Sequence, residues 1–331
     1  MTNLAQIGCG YWGPNLLRNF DALPNAEVKA LMETSPERQK FVSSNYPHIH
    51  IHTNISNILH DPKIKAVIIA TPAKTHFAIA KKCLDAGKHI FVEKPLTTCV
   101  SEIDELEKIA TSKSLIVMVG HTFIYNDAVR YIKRLIDEEY LGEIRYIHSQ
   151  RLNLGRIRND IDALWNFGPH DISIIQYWLN DLPPVSIQKQ GMDFMQNGID
   201  DVVFLNLEYP NKVLASVHVS WLDPVKTRKT TIVGSKKMIV YDDVAENKIK
   251  IYDKGIDIQA TLGENMDYDQ TSVVDNFQYR SGDILIPKID FKEPLKVESA
   301  HFLECVETGC SCLTGIKHAR NVVRILQAKD D

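Results

Sequence analysis

Three short stretches carry groups whose types and spacing could do chemistry. IGCGYWGPN sets Gly8, Gly10 and Gly13 in the pattern G-x-G-x-x-G, with Cys9, Tyr11 and Trp12 between them. After an apolar run and before a helix, that spacing makes an anion cradle. Gly8 permits the tight turn, Gly10 lets backbone approach a pyrophosphate, and Gly13 lets the helix pack on the strand. The helix N-terminus adds amide donors and partial positive charge. Glu33 stands twenty residues past Gly13, at the end of the next apolar run. A carboxylate there accepts from both ribose hydroxyls and repels a 2′-phosphate, which favours NAD over NADP. The other two stretches, ATPAKTHFAIA (70–80) and FVEKPLTT (91–98), put Thr71, His76, Glu93 and Lys94 just beyond apolar runs. Thr71 and Pro72 are expected to line the cofactor's path, and Lys94 to stand near its nicotinamide. A lysine there can donate to a substrate hydroxyl or carbonyl oxygen, and burial can lower its pKa.

These groups need strands that end together. From residue 4 to about 121, strand-like and helical patterns alternate: LAQIG, a helix from about 14 to 23, VKALME, a helix near 35 to 46, HIHIHT, KAVIIATP, HFAIAKKCLDAG, HIFVEKP, SEIDELEKIATSK with Ser101 as N-cap, and LIVMVGH. Such alternation predicts an α/β fold, a doubly wound parallel Rossmann sheet. Ligands of such sheets lie beyond the carboxyl ends of the strands. After residue 121 the rhythm changes. A helix over NDAVRYIKRLIDEEYLG, the strand EIRYIHSQRL, a helix beginning near Pro169, a run of turn-linked strands and two final helices predict an α+β domain with a mostly antiparallel, open-faced sheet. The expected division is 1–121 for dinucleotide binding and 122–331 for substrate and oligomerisation, with the last helix able to pack back on the first domain.

Composition narrows the function classes. In 331 residues, hydrophobic content is 44%, charged content 24%, and the net charge is -4. Basic residues are scattered, so nucleic acid is not an expected partner. The longest apolar runs fall short of the roughly 18 residues that cross a bilayer. No signal segment is evident, and a cytoplasmic location is expected. The six cysteines lack zinc-type C-x-x-C spacing and read as reduced thiols. His48, His50 and His52 alternate, so one strand face would carry all three, but the default for them is a solvated face. No metal is expected.

GCGYWG, the TPAxTH stretch, Glu93–Lys94–Pro95 and a later GPHD together resemble the Gfo/Idh/MocA family of NAD(P)-dependent oxidoreductases over nearly the whole chain. The resemblance implies an EC 1.1.1-type dehydrogenase in which Lys94 positions the substrate and the Lys94–Pro95 bond is often cis. It also assigns cofactor contacts to the glycine turn (Gly8 to Gly13), Glu33, Thr71, Pro72, His76, Glu93, Lys94 and Pro95. The family's D-x-x-x-H motif reads here Asn166 to His170, with asparagine in place of aspartate. His170 can still take a hydroxyl proton. Asn166 can hydrogen-bond a sugar hydroxyl but is no base. Asp171 faces about 100° away on a helix and is not expected to substitute. Lys94 and His170 are expected to converge on one alcohol carbon above the nicotinamide.

GHTFIYN, QRLNLGR and VSWLDPVKTRKTTIVGSKK resemble the subgroup that oxidises surface-polysaccharide nucleotide sugars at the ring 3-hydroxyl, such as a UDP-N-acetylglucosamine uronate. Arg151, Arg156 and Arg158 are candidates for a diphosphate or carboxylate. Tyr125, Asn126 and Trp165 are candidates for the sugar pocket, though Trp165 could equally be core. Two alternatives stand: a myo-inositol or simple-sugar dehydrogenase, and a non-catalytic NAD-binding regulator, which only Asn166 favours. The alternating strands near 200–250 suggest a homodimer or homotetramer.

Overall fold

The computed structural model describes residues 1–258 and 277–328. Its first run alternates strand and helix: β1 (Thr2–Ile7), α1 (Gly13–Asp21), β2 (Ala26–Met32), α2 (Pro36–Asn45), β3 (His50–His52), α3 (Ser56–Leu59), β4 (Ala66–Ile69), α4 (His76–Asp85), β5 (His89–Glu93), α5 (Val100–Ser112) and β6 (Val117–Gly120). The six strands form a parallel sheet ordered β3-β2-β1-β4-β5-β6. β4 (Ala-Val-Ile-Ile) is buried throughout, as a central parallel strand covered on both faces must be. The order reverses beside β1, and β1, β4 and β5 end side by side along the sheet.

Local signals account for most element ends. Ser35 caps α2, its hydroxyl accepting from the Arg38 amide. Gly87, just after α4, sits at φ 73°, the left-handed stop open to glycine. Ser101, in contrast, is not the cap of α5. The N-cap is Cys99, two residues earlier, where Thr97 Oγ1 donates to the Cys99 carbonyl at 2.7 Å and fixes the chain direction. The three alternating histidines do not share a strand face. β3 is only three residues long, and His48 lies before it, 2.8 Å from Asp21.

The chain continues through α6 (Asp127–Asp137), β7 (Ile144–Leu154), α7 (Ala163–Trp178), β8 (Ser186–Met192), β9 (Val202–Tyr209), β10 (Val213–Ser220), β11 (Leu222–Gly234), β12 (Met238–Asp242), β13 (Ile249–Ile258), β14 (Phe277–Leu285), α8 (Pro294–Thr308) and α9 (Ile316–Leu326). The eight strands form a second sheet, ordered β14-β13-β12-β11-β7-β10-β9-β8. Only β10 and β7 pair parallel; the other neighbours are antiparallel. Along β9, Val203, Leu205 and Leu207 are buried while Phe204, Asn206 and Glu208 are exposed, the alternation of a sheet with one covered face. α7 begins at Ala163, not near Pro169, and Pro169 lies inside it. The helix starts early because Asp162 Oδ1 accepts the Trp165 amide at 2.7 Å. β14 has no counterpart in the sequence reading: nearly all its side chains are exposed, so no buried face imprints a period of two.

Contacts divide the chain into two compact units. One gathers Met1–Val129, Ile172–Asp181 and Phe291–Ala328; the other gathers Arg130–Asp171 and the described part of Leu182–Asp290. The core of the first joins Leu4, Leu16, Leu17, Phe20, Leu31 and Phe91 to Phe302 and Leu303 of α8. Phe20, Phe91 and Phe302 meet edge to face, with centroids 5.4 to 6.0 Å apart. No helix among the described residues is long and apolar enough to cross a membrane.

Candidate active site

The glycine turn is built by exclusion. Gly8 has φ 87°, and a Cβ there would lie 2.7 Å from the Ala70 carbonyl oxygen and 2.8 Å from Thr71 Cγ2. A Cβ at Gly13 would lie 3.0 Å from the Gly8 oxygen, whereas at Gly10 nothing stands within 4 Å. The turn is therefore closed toward the sheet and open at Gly10. Gln6 holds it shut from below, its Nε2 donating to the carbonyls of Gly8 at 2.8 Å and Gly13 at 3.1 Å. Gln6 carries no signal in the sequence, since a polar residue inside an apolar strand has meaning only once the turn curls over it. Tyr11 and Trp12 are exposed and Cys9 is buried. Burial, reinforced by Glu33, pushes the Cys9 thiol up to about 11, so it stays protonated at neutral pH.

Glu33 follows β2. Its Oε2 accepts from the Cys9 amide at 2.7 Å, and its Oε1 from the amides of Thr34 (2.7 Å) and Ser35 (2.9 Å). The carboxylate thus ties the glycine turn to the start of α2. An open Gly10, a helix N-terminus behind it and a carboxylate at the adjoining strand end fit the pyrophosphate and adenosine ribose of a dinucleotide.

Beyond β4 and β5, Thr71 is partly exposed, its Oγ1 accepting from Thr75 at 2.8 Å, and Pro72 is exposed. His76 is buried, 1% exposed, and its ring nitrogens lie 2.7 Å from the Pro95 carbonyl and 2.8 Å from the Thr71 carbonyl. It was expected among the cofactor contacts; here it is buried between two backbone carbonyls, where one ring N–H can donate and brace the loops. Burial lowers its pKa against the pull of those carbonyls. The Lys94–Pro95 bond is cis, and Pro95 is buried behind the loop. Lys94 is half-buried, and its amide donates to Glu93 Oε2 at 3.2 Å.

Glu93 is half-buried as a residue, and its carboxyl end is fully buried. Burial pushes that carboxyl up to about 7, opposed by the charge and amide of Lys94 and a hydrogen bond from Trp12. Behind it lies Glu298 of α8, 0% exposed, whose Oε2 accepts from Thr122 at 2.8 Å. Burial first, and the Glu93 charge second, raise Glu298 well above the usual carboxylate range. One oxygen of each carboxyl, Oε1, is buried without a hydrogen-bond partner among the described residues. His121, at the end of β6, is also buried, 5.2 Å from the His318 ring, and burial drives its pKa well down. Glu298 and His318 come from the far end of the chain, and no spacing rule links them to Lys94. Tyr125 and Asn126, expected in the sugar pocket, face inward. The Tyr125 hydroxyl is 3.1 Å from Thr314 Oγ1 in the core, and Asn126 Oδ1 accepts the Ala128 amide at the start of α6.

In the second unit, Asn166 and His170 sit one turn apart on α7, both half-buried, so they share a helix face. Trp165 is half-buried beside them. Arg151 is not available for a phosphate: it is 6% exposed, and its Nε donates to Asp171 Oδ2 at 2.5 Å. Ser149 donates to the same carboxylate at 2.8 Å. Arg156 is exposed on the loop after β7, and Arg158 forms a two-bond pair with Asp160.

Residues 2–121 match an oxidoreductase family with an NAD-binding Rossmann fold, and residues 129–240 match the GFO/IDH/MocA C-terminal domain. The chain belongs to the Gfo/Idh/MocA family. Its relatives differ in reaction. A 2,7-anhydro-N-acetylneuraminate hydratase of Mediterraneibacter gnavus is 24% identical over 62% of this chain and 58% of its own. The scyllo-inositol 2-dehydrogenase (NADP(+)) IolW of Bacillus subtilis is 28% identical over 48% and 41%. The chain thus spans about half the length of such relatives. Among solved structures, the UDP-N-acetylglucosamine 3-dehydrogenase GnnA of Acidithiobacillus ferrooxidans superposes with TM-score 0.78 at 20% identity, over 98% of this chain and 95% of that one. GenD2 from gentamicin A biosynthesis, solved with NAD, gives 0.80 at 17% over 98% and 92%. These likenesses are of fold. As in the rest of the Gfo/Idh/MocA family, the first domain of this chain is an NAD-binding Rossmann domain.

Proposed function

We propose that this protein is an NAD-dependent dehydrogenase that moves hydride between a secondary alcohol of a sugar and nicotinamide. The observation that carries this reading is the alignment of the open glycine turn with the Glu93–Lys94–Pro95 loop along the tips of β1, β4 and β5. A dinucleotide held by Gly8, Gly10, Gly13 and Glu33 would run toward Thr71, Pro72 and Lys94. When bound, the nicotinamide accepts or returns the hydride; the protein supplies geometry and proton traffic. Lys94 holds the alcohol oxygen. His170 takes the hydroxyl proton, and Asn166, one turn earlier, hydrogen-bonds the same sugar. The substrate class we propose is a nucleotide sugar oxidised at the ring 3-hydroxyl. The resemblance of residues 120–126 and 150–156 to that subgroup supports it, although Tyr125, Asn126 and Arg151 are engaged inside the protein, and Arg156 is the exposed candidate for the diphosphate. Inositols are the alternative, since relatives include an inositol dehydrogenase. We further propose that the protein works as a homodimer or homotetramer, in keeping with the exposed face of the second sheet.

The test is direct. Purified protein is incubated with NAD or NADP and a panel of UDP-sugars, UDP-sugar uronates and inositols, and reduced cofactor is followed by absorbance. Turnover with a UDP-sugar and NAD is expected; NAD binding without turnover across the panel would favour the regulator. In Lys94→Ala, turnover should fall by about 100-fold or more while the NAD dissociation constant stays within about threefold. Loss of NAD binding instead would remove Lys94 from the substrate role.

A further inference from the structure

One cluster plays no part in the proposed dehydrogenase chemistry. α8 places His301, Glu304 and Cys305 on one face, at spacings of three and four residues. The helix ends at Gly309, which has φ 75° and donates its amide to the Cys305 carbonyl at 2.9 Å. That left-handed reversal folds Cys310 back over the turn that holds Cys305. The two sulfurs lie 3.5 Å apart. Cys305 Sγ is also 3.5 Å from His301 Nε2, and His301 Nδ1 is 3.4 Å from Glu304 Oε2. The Leu313 amide donates to Nε2 at 3.1 Å, so Nε2 is the acceptor nitrogen and the ring proton sits on Nδ1, toward Glu304. Cys305 thus meets Cys310 and His301 Nε2, and the Cys312 thiol hydrogen-bonds it as well. Cys305 is buried, Cys310 is exposed, and Cys312 is partly buried against the core.

We propose that Cys310 and Cys305 form a built-in peroxide-sensitive pair that closes to a disulfide, with His301 as the proton acceptor. Burial keeps the Cys305 thiol protonated at neutral pH, which leaves the exposed Cys310 to react first. Its thiolate attacks a hydroperoxide: an S–O bond forms, the O–O bond breaks, and hydroxide leaves as the sulfur becomes a sulfenic acid. Cys305 then attacks that sulfur. The S–S bond forms, the S–O bond breaks, and the Cys305 proton passes through His301 to the departing hydroxide, giving water. In sum, two thiols lose two electrons and two protons, and hydrogen peroxide becomes two waters. Bonding needs the sulfurs to close by only about 1.5 Å, a rotamer adjustment at the end of a helix.

The experiment treats the reduced full-length protein with stoichiometric hydrogen peroxide, alkylates the remaining thiols and weighs the intact chain. The expected result is the loss of two hydrogens and protection of two thiols, abolished in Cys310→Ser and in Cys305→Ser and retained in Cys312→Ser. His301→Asn should slow closure several-fold while leaving the final yield unchanged. Addition of oxygen without cross-linking in the wild type would overturn the proposal. So would a disulfide that survives Cys310→Ser or disappears in Cys312→Ser. Cys310 is exposed, so its serine variant remains informative even if Cys305→Ser folds poorly.

Discussion

Glu93 shows what burial does to a carboxyl at the end of a sheet strand. Its carboxyl is buried beside the amide it accepts, and its pKa is pushed up to about 7 from an ordinary 4.5. A raised folded-state pKa means that the neutral form is favoured by folding. Its contribution to stability is complete below pH 4.5 and is lost as pH rises through 7. The cofactor-free protein should therefore lose melting temperature across that window, and Glu93→Gln should flatten the loss; an unchanged slope in differential scanning fluorimetry would contradict the burial argument. A second residue-scale prediction concerns the asparagine that replaces the family aspartate. Asn166→Asp puts a carboxylate one turn from His170, which stabilises the imidazolium. The acidic limb of the kcat/KM pH profile should move upward by about one unit. If the limb stays fixed, His170 is not the base.

At the scale of elements, the glycine turn is the clearest case of sequence and structure saying the same thing. The spacing of Gly8, Gly10 and Gly13 after an apolar strand fixes the strand–turn–helix, because a Cβ at Gly8 would collide with the Ala70 carbonyl. Gly8→Ala adds both that clash and an unfavourable positive φ. It should cost about 1–3 kcal/mol of stability in urea denaturation and weaken NAD binding in calorimetry. α7 was less legible. Pro169 reads as a helix start, but the Asp162 cap lies about two turns upstream and the helix runs through the proline. β14 was not legible, since an exposed edge strand has no buried face to write a pattern.

At the scale of the molecule, segments distant in sequence complete the first unit. Phe302 packs edge to face on Phe20 and Phe91. Thr314 Oγ1 donates to the Val119 carbonyl at 2.7 Å, and Arg320 binds Asp104 at 2.9 Å. Phe302→Ala should therefore destabilise the nucleotide-binding unit by about 3–5 kcal/mol, read as an early transition in thermal unfolding that added NAD reverses only in part. A change confined to later unfolding would mean that α8 is not part of that core.

The alternation of strand and helix, the glycine pattern and the lysine after the fifth strand were all readable in the chain by itself, because each follows from a rule acting over a few neighbouring residues. Periodicity reports which face is buried, and a missing Cβ reports where backbone must turn. What stands behind the strand tips was decided only by tertiary packing. Glu298 beside Glu93, His318 beside His121, Asp171 on Arg151 and the inward turn of Tyr125 depend on which remote surface fills a space, and no local spacing carries that information.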